Sequence, residues 1–162
     1  MIKGMISILL LCLASCGREE ISYSAFLEGQ VQKWNRLSPL HLERLSPHFE
    51  FDLDTVRYTE NIETVSGFVI TIDNRIYFPG KVNPHKFSVL AHELEHVAQY
   101  KENPALFNEY YYAESIVSFG QTISSGKLSI REIHDNIELE QQAKEKAEKV
   151  MRSMNSTKWL QD

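Results

Sequence analysis

A pair of histidines separated by three residues is the feature of this sequence that most directly suggests chemistry. His92, Glu93 and His96 belong to an H-E-x-x-H motif. Residues four apart on an α-helix are stacked neighbours, so both imidazole rings can reach one point in space. A zinc ion at that point would take two nitrogen ligands, and Glu93, one step around the helix, could accept a proton from a water molecule beside the metal. The motif therefore predicts a zinc site with Glu93 as the general base.

A catalytic zinc needs a third protein ligand and an open position for water. The residue three positions after His96 is Gln99, and no further histidine follows at the spacing of three-histidine zinc sites, so a carboxylate is the better candidate. Glu140 lies in line with the apolar residues of the last predicted helix, and a buried carboxylate normally needs a cation or a metal. Glu114 is the alternative, because it follows His96 after 17 residues and has aromatic neighbours. The sequence leaves both glutamates open.

The elements that must position these residues follow from hydrophobic periodicity. Asn83 is a favoured helix N-cap and Pro84 suits the first helical position, and the apolar stripe that follows predicts a helix through the motif. Upstream, residues 68–72 and 75–78 predict two strands joined by a two-residue Asp-Asn turn, in which both residue types tolerate positive φ. This pattern is typical of an antiparallel hairpin.

The rest of the chain contributes further helices. The spacing of apolar residues predicts helices over residues 25–37, from the Asn-Pro step at 103 to about residue 119, and over residues 129–154, while residues 49–53 alternate like a strand. Together the elements predict an α+β fold with a small antiparallel sheet, the motif helix and following helices.

The N-terminal segment is typical of a bacterial lipoprotein signal. A lysine at position 3 precedes a short apolar run, and Leu-Ala-Ser-Cys at 13–16 resembles a lipobox, which is cut before a cysteine that then carries the lipid. We expect residues 1–15 to be removed, Cys16 to be lipidated, and residues 16–24 to form a tether to a single domain over residues 25–162.

The predicted lipoprotein signal also indicates where the protein is located. A lipid anchor holds a protein on a membrane rather than through it. We therefore expect an exported protein of the bacterial cell envelope. Gly17, in place of the aspartate that favours retention in the inner membrane, favours the outer membrane.

Composition excludes several other classes of protein. The chain has 162 residues, of which 43% are hydrophobic, so it can bury one core. Its net charge of −5 shows no basic excess, which argues against a nucleic-acid partner. Two cysteines exclude a disulfide-rich scaffold. We expect a monomer.

Several segments together resemble the zincin-like peptidase domain of extracellular contractile injection system proteins and of stand-alone bacterial relatives. The resemblance spans roughly residues 53–148 and rests on V-R-Y at 56–58, G-F-V-I-T-I at 67–72, N-R-I-Y-F at 74–78, L-A-H-E-L-E-H-V-A-Q at 90–99 and L-E-Q-Q-A at 139–143. It implies a zinc site formed by His92 and His96, with Glu140 as third ligand and Glu93 as base. Lys144 stands where a related membrane-protease pattern has an acid.

These features predict a membrane-anchored zinc metallopeptidase that hydrolyses peptide bonds of a peptide or protein substrate. His134 and Tyr111, one of three consecutive tyrosines, are candidates for stabilising the charge that develops on the substrate carbonyl. The alternative is a non-catalytic lipoprotein that keeps the fold and serves as an envelope binding or adaptor module.

Overall fold

A computed structural model describes residues 18–64, 67–83, 85–102, 104 and 134–156. The described helices are α1 (Arg18–Gln30), α2 (Pro39–Leu45), α3 (Phe87–Glu102) and α4 (Glu138–Ser156), with two short 3-10 turns at Ser46–His48 and Leu53–Thr55. The described strands are β1 (Asn35–Arg36), β2 (Arg57–Thr59), β3 (Ile70–Ile72) and β4 (Arg75–Tyr77). The α+β class predicted from the sequence is confirmed.

The four strands form one small sheet in the order β1-β2-β4-β3. β3 and β4 are the predicted antiparallel hairpin, with Ile70 opposite Tyr77 and Asp73 at a φ of 54° in the turn. β2, however, runs parallel to β4, so the prediction of a purely antiparallel sheet is wrong. The hairpin follows from a local turn, whereas the chain between β2 and β3 crosses over, and no local sequence signal specifies that crossover.

Residues 49–53 do not form the expected strand. Phe49 and Leu53 are buried in the core, and Asp52 accepts a hydrogen bond from the backbone of Asp54 at the start of a 3-10 turn. The rings of Phe49 and Phe51 pack edge to face. The alternation of apolar residues here belongs to a loop in which Phe49 and Leu53 are buried and Phe51 packs, partly buried, against the core.

Helix α1 differs from the prediction at both ends. It begins at Arg18, so residues 18–24, which we expected to be a tether, are helical, and it ends at Gln30 rather than near residue 37. The Gln30 side chain bonds to both backbone groups of Glu63, at 2.8 and 3.2 Å. Leu27 is fully buried against Ile62 and Tyr77. These contacts fix α1 to the sheet.

The main core lies between the sheet, α3 and α4. The apolar stripe of α3 supplies four buried residues, Leu90, Ala91, Leu94 and Val97, and these pack with Ile76 of β4 and Val150 of α4. From Glu95 to Gln99 along α3, the contacting residues on α4 run backwards, from Lys146 to Leu139. The two helices are therefore antiparallel. This packing brings the start of α4 beside the second half of α3.

Several predicted features lie outside the described residues, namely the expected signal peptide, Cys16, Tyr111 and Glu114. Within the described ranges, no helix has both the length and the apolar character that crossing a membrane requires.

Candidate metal centre

The two motif histidines meet on one face of α3. Their Nε2 atoms are 3.2 Å apart and their rings pack edge to face. The side chain of His96 is 7% exposed and that of His92 is 23% exposed, so the pair is reached from the side of His92. The i, i+4 spacing therefore brings both imidazoles to one point, as the sequence predicts.

Glu140 reaches the same point from the first turn of α4. Its Oε2 atom is 3.0 Å from His92 Nε2 and 3.3 Å from His96 Nε2, and the residue is buried. A carboxylate in the first turn of a helix also faces the positive end of the helix dipole. Of the two glutamates that the sequence left open, Glu140 lies at the histidines, whereas Glu114 is outside the described residues.

These three atoms lie close to the spacing that a small divalent metal requires. Zinc binds imidazole nitrogen at about 2.0–2.1 Å and carboxylate oxygen at about 2.0–2.2 Å, so two ligands of a tetrahedral site lie about 3.3–3.5 Å apart. The observed separations are 3.0, 3.2 and 3.3 Å. Within the described part of the chain this is the group of histidine and acidic residues that could hold a metal ion.

The charges around the group also favour a cation. Burial alone would lower the pKa of His96, but its hydrogen bond to Glu140 and the charges of Glu140 and Glu93 raise the pKa to about 9. Burial alone would raise the pKa of Glu140, but hydrogen bonds from His92 and His96 hold that pKa well below its usual range. In the metal-free protein, protonated His96 balances the carboxylate at neutral pH. A metal ion would take the place of that proton.

Gln99 determines how His96 is oriented. Its amide Nε2 donates to the backbone carbonyl of Leu139 at 3.2 Å, so its Oε1 faces His96 Nδ1 at 2.9 Å. An amide oxygen can only accept, so the proton of neutral His96 must sit on Nδ1. The lone pair of His96 Nε2 is then directed at His92 and Glu140. Gln99 also links α3 to α4.

Glu93 is hydrogen-bonded to the sheet. It is buried, and its Oε2 accepts a hydrogen bond of 2.7 Å from the hydroxyl of Thr71 on β3. β3 is the edge strand of the sheet and packs on α3. The motif glutamate is thus fixed by a hydrogen bond to the edge strand, one residue along α3 from His92.

His134 lies on the far side of Glu140. Its Nε2 is 3.2 Å from Glu140 Oε1, the carboxylate oxygen that does not face the motif histidines. Its ring stacks on Phe68, with centroids 4.6 Å apart and planes at 6°. The structure therefore places His134 as a partner of Glu140. Tyr111, the other predicted stabiliser of the transition state, is outside the described residues.

Gln99 and Thr71 have roles that the sequence reasoning missed. Gln99 lies three residues after His96 and so on the same helix face, which could have identified it as a partner of the ring. For Thr71 no local signal exists, because its contact with Glu93 joins residues 22 apart.

Comparison with known protein families gives a match over part of the chain. A family model described as the eCIS core domain matches residues 37–104, which include α2, the strands β2 to β4 and α3 with the whole H-E-x-x-H motif. Glu140 lies beyond the matched segment. Comparisons with curated proteins and with solved structures found no match.

Proposed function

We propose that this chain is a zinc-dependent peptidase of zincin type, since residues 37–104 match the eCIS core domain model that agrees with the sequence resemblance. The observation that carries the proposal is the convergence of His92, His96 and Glu140 within 3.3 Å. Two imidazole nitrogens and one carboxylate oxygen are a ligand set that zinc commonly occupies in hydrolases.

The three proposed ligands leave one coordination position of a zinc ion open. Three protein ligands leave the fourth position of a tetrahedral zinc open, and a bound zinc supplies Lewis acidity that makes water a nucleophile at neutral pH and polarises a carbonyl. His92, His96 and Glu140 would hold the ion. Gln99 keeps the His96 Nε2 lone pair available for it.

Glu93 is proposed to move the proton. Thr71 is the hydrogen-bond partner of Glu93 among the described residues, and it occupies Oε2, so Oε1 is left to accept a proton. Burial strengthens the interaction of this carboxylate with nearby charge. Glu93 would take a proton from the attacking water and pass it to the amine that leaves when the peptide bond breaks.

The edge strand β3 is proposed to bind the substrate chain. β3 pairs with β4 on one side, and its other edge is not paired within the described sheet. An extended peptide can add to such an edge through backbone hydrogen bonds. Because Thr71 of β3 holds Glu93, a peptide on this edge would pass close to the general base.

The place of action is also a proposal. The lipoprotein signal and Cys16 support an exported, lipid-anchored protein of the cell envelope, with the outer membrane favoured, and a peptide or protein as its substrate.

Hydrolysis of peptides by the zinc-loaded protein tests the function. Wild type should cleave members of a degenerate peptide mixture, and Glu93→Gln should lose at least about 100-fold in rate while still binding zinc, because general-base catalysis contributes about 10²–10⁴-fold. Glu102→Gln removes an exposed carboxylate from the end of the same helix and should cleave like wild type. Equal rates for wild type and Glu93→Gln would overturn the mechanism. Zinc binding without any cleavage would favour the envelope binding module instead.

A further inference from the structure

A groove between α3 and α4 reaches the candidate metal group at His92. Its wall on α3 includes His92 and Val89, and its wall on α4 includes Lys144, Ala147 and Met151. His92 is the most exposed member of the metal group, so the groove and the approach to the metal share a side chain. A substrate that reaches the metal from this side must lie in the groove.

The groove has the length of a short extended peptide. Met151 lies 11 residues beyond Glu140 on α4, and a helix rises 1.5 Å per residue, so the groove extends about 16 Å from the metal group. An extended chain advances about 3.3 Å per residue. About five substrate residues on one side of the scissile bond therefore fit along it.

The chemistry of the walls changes with distance from the metal. Lys144 lies four residues, or about 6 Å, beyond Glu140 and forms no ion pair with any described residue. Val89 lies three residues, or about 4.5 Å, before His92 on α3 and is 38% exposed, while Ala147 and Met151 line the groove farther along α4. At the far end, Arg152 is already paired with Glu148 at 3.4 Å. The lysine cation thus lies near the reaction centre, with Val89 at a similar distance on the other helix and the rest of the apolar surface beyond them.

We propose that this groove selects substrates with an acidic residue about two positions from the scissile bond and apolar residues beside and beyond it, to about position five on the same side. Lys144 pairs with the acidic side chain, and the apolar residues pack on Val89, Ala147 and Met151. The assignment rests on the proposed peptidase function and adds the substrate class and the residues that determine it.

Selection from a degenerate dodecapeptide library on the zinc-loaded, full-chain Glu93→Gln protein tests the assignment without requiring turnover. Acid-then-apolar sequences should be enriched at least about fivefold. With Lys144→Glu added, enrichment should shift from acidic to basic residues, and with Val89→Glu added, the apolar preference should fall by about fivefold. Both positions are exposed, so neither change disturbs the core. Lys149→Glu makes the same charge change at an exposed position outside the groove and should leave the selection unchanged.

Zinc content, measured on the same samples, separates the two proposals. A protein that binds no zinc would overturn the proposed function. If zinc is bound and the selected sequences do not respond to Lys144→Glu or Val89→Glu, or no peptide is enriched, the groove assignment is wrong and the zinc site stands.

Discussion

Replacing Gln99 by leucine is expected to weaken zinc binding by about 10- to 100-fold, the range that removal of a hydrogen-bond partner from a ligating histidine usually produces. That range corresponds to about 1.4–2.7 kcal/mol. The substitution removes the 2.9 Å hydrogen bond between Gln99 Oε1 and His96 Nδ1. Leucine has a similar size and offers no acceptor.

The hydrogen bonds of His96 give the same magnitude for the loss of zinc-binding free energy. With zinc on Nε2, the proton of His96 must stay on Nδ1, where leucine leaves it buried without an acceptor, at a cost of about 1–3 kcal/mol. In the metal-free leucine variant the ring can instead release its Nδ1 proton and keep a single proton on Nε2, facing Glu140 at 3.3 Å. The penalty therefore falls on the zinc-bound state and is measured as a weaker affinity for zinc.

Competition with a chromophoric zinc chelator at neutral pH measures the effect. Gln142→Leu is the matched control, because Gln142 contacts the same Gln99 amide at 3.4 Å but does not contact His96. Gln99→Glu keeps an acceptor for Nδ1 and removes the donor to Leu139, so it should retain zinc affinity and lower the free energy of unfolding by about 0.5–1.5 kcal/mol. Wild-type zinc affinity in Gln99→Leu would refute the assignment of Gln99.

Three further predictions concern pH, helix α1 and the N-terminus. Because the pKa of His96 is raised to about 9, its stabilisation of the metal-free protein is complete below about pH 6.5 and is lost as the pH rises through 9; denaturant unfolding at several pH values should show this loss, and Glu140→Gln should reduce it. Leu27→Ala should lower the free energy of unfolding by about 2–5 kcal/mol, since the side chain is fully buried, whereas a change below about 0.5 kcal/mol would show that α1 is not part of the fold. Metabolic labelling with a radioactive fatty acid should mark the wild type and not Cys16→Ser, and equal labelling would refute lipidation at Cys16.

Residues that act within one helix could be predicted from the sequence. The i, i+4 spacing of His92 and His96 is a property of any α-helix, so their convergence needed no knowledge of the fold. The β3–β4 hairpin was predictable for the same reason, because its turn is local. Glu140 could be named as one of two candidates, since a carboxylate in an apolar stripe requires a partner, but the nearer of its two motif histidines is 44 residues away in sequence.

Contacts between elements could not be predicted in this way. The parallel pairing of β2 with β4 and the hydrogen bond from Thr71 to Glu93 depend on a crossover that leaves no periodic signal. The start of α1 was misjudged because the polar composition of residues 18–24 suggested a tether. What holds α1 in place is the burial of Leu27 and the bonds from Gln30 to Glu63, which form only when the chain is folded.

Zinc bound per chain, measured by elemental mass spectrometry on the purified protein after equilibration with zinc, tests the central claim most directly. We predict about one zinc per chain in the wild type, loss of that zinc in Glu140→Ala, and its retention in Glu138→Ala, which removes an exposed carboxylate from the same helical turn. Wild-type protein without zinc would contradict the account. So would zinc that is retained in Glu140→Ala and lost in Glu114→Ala.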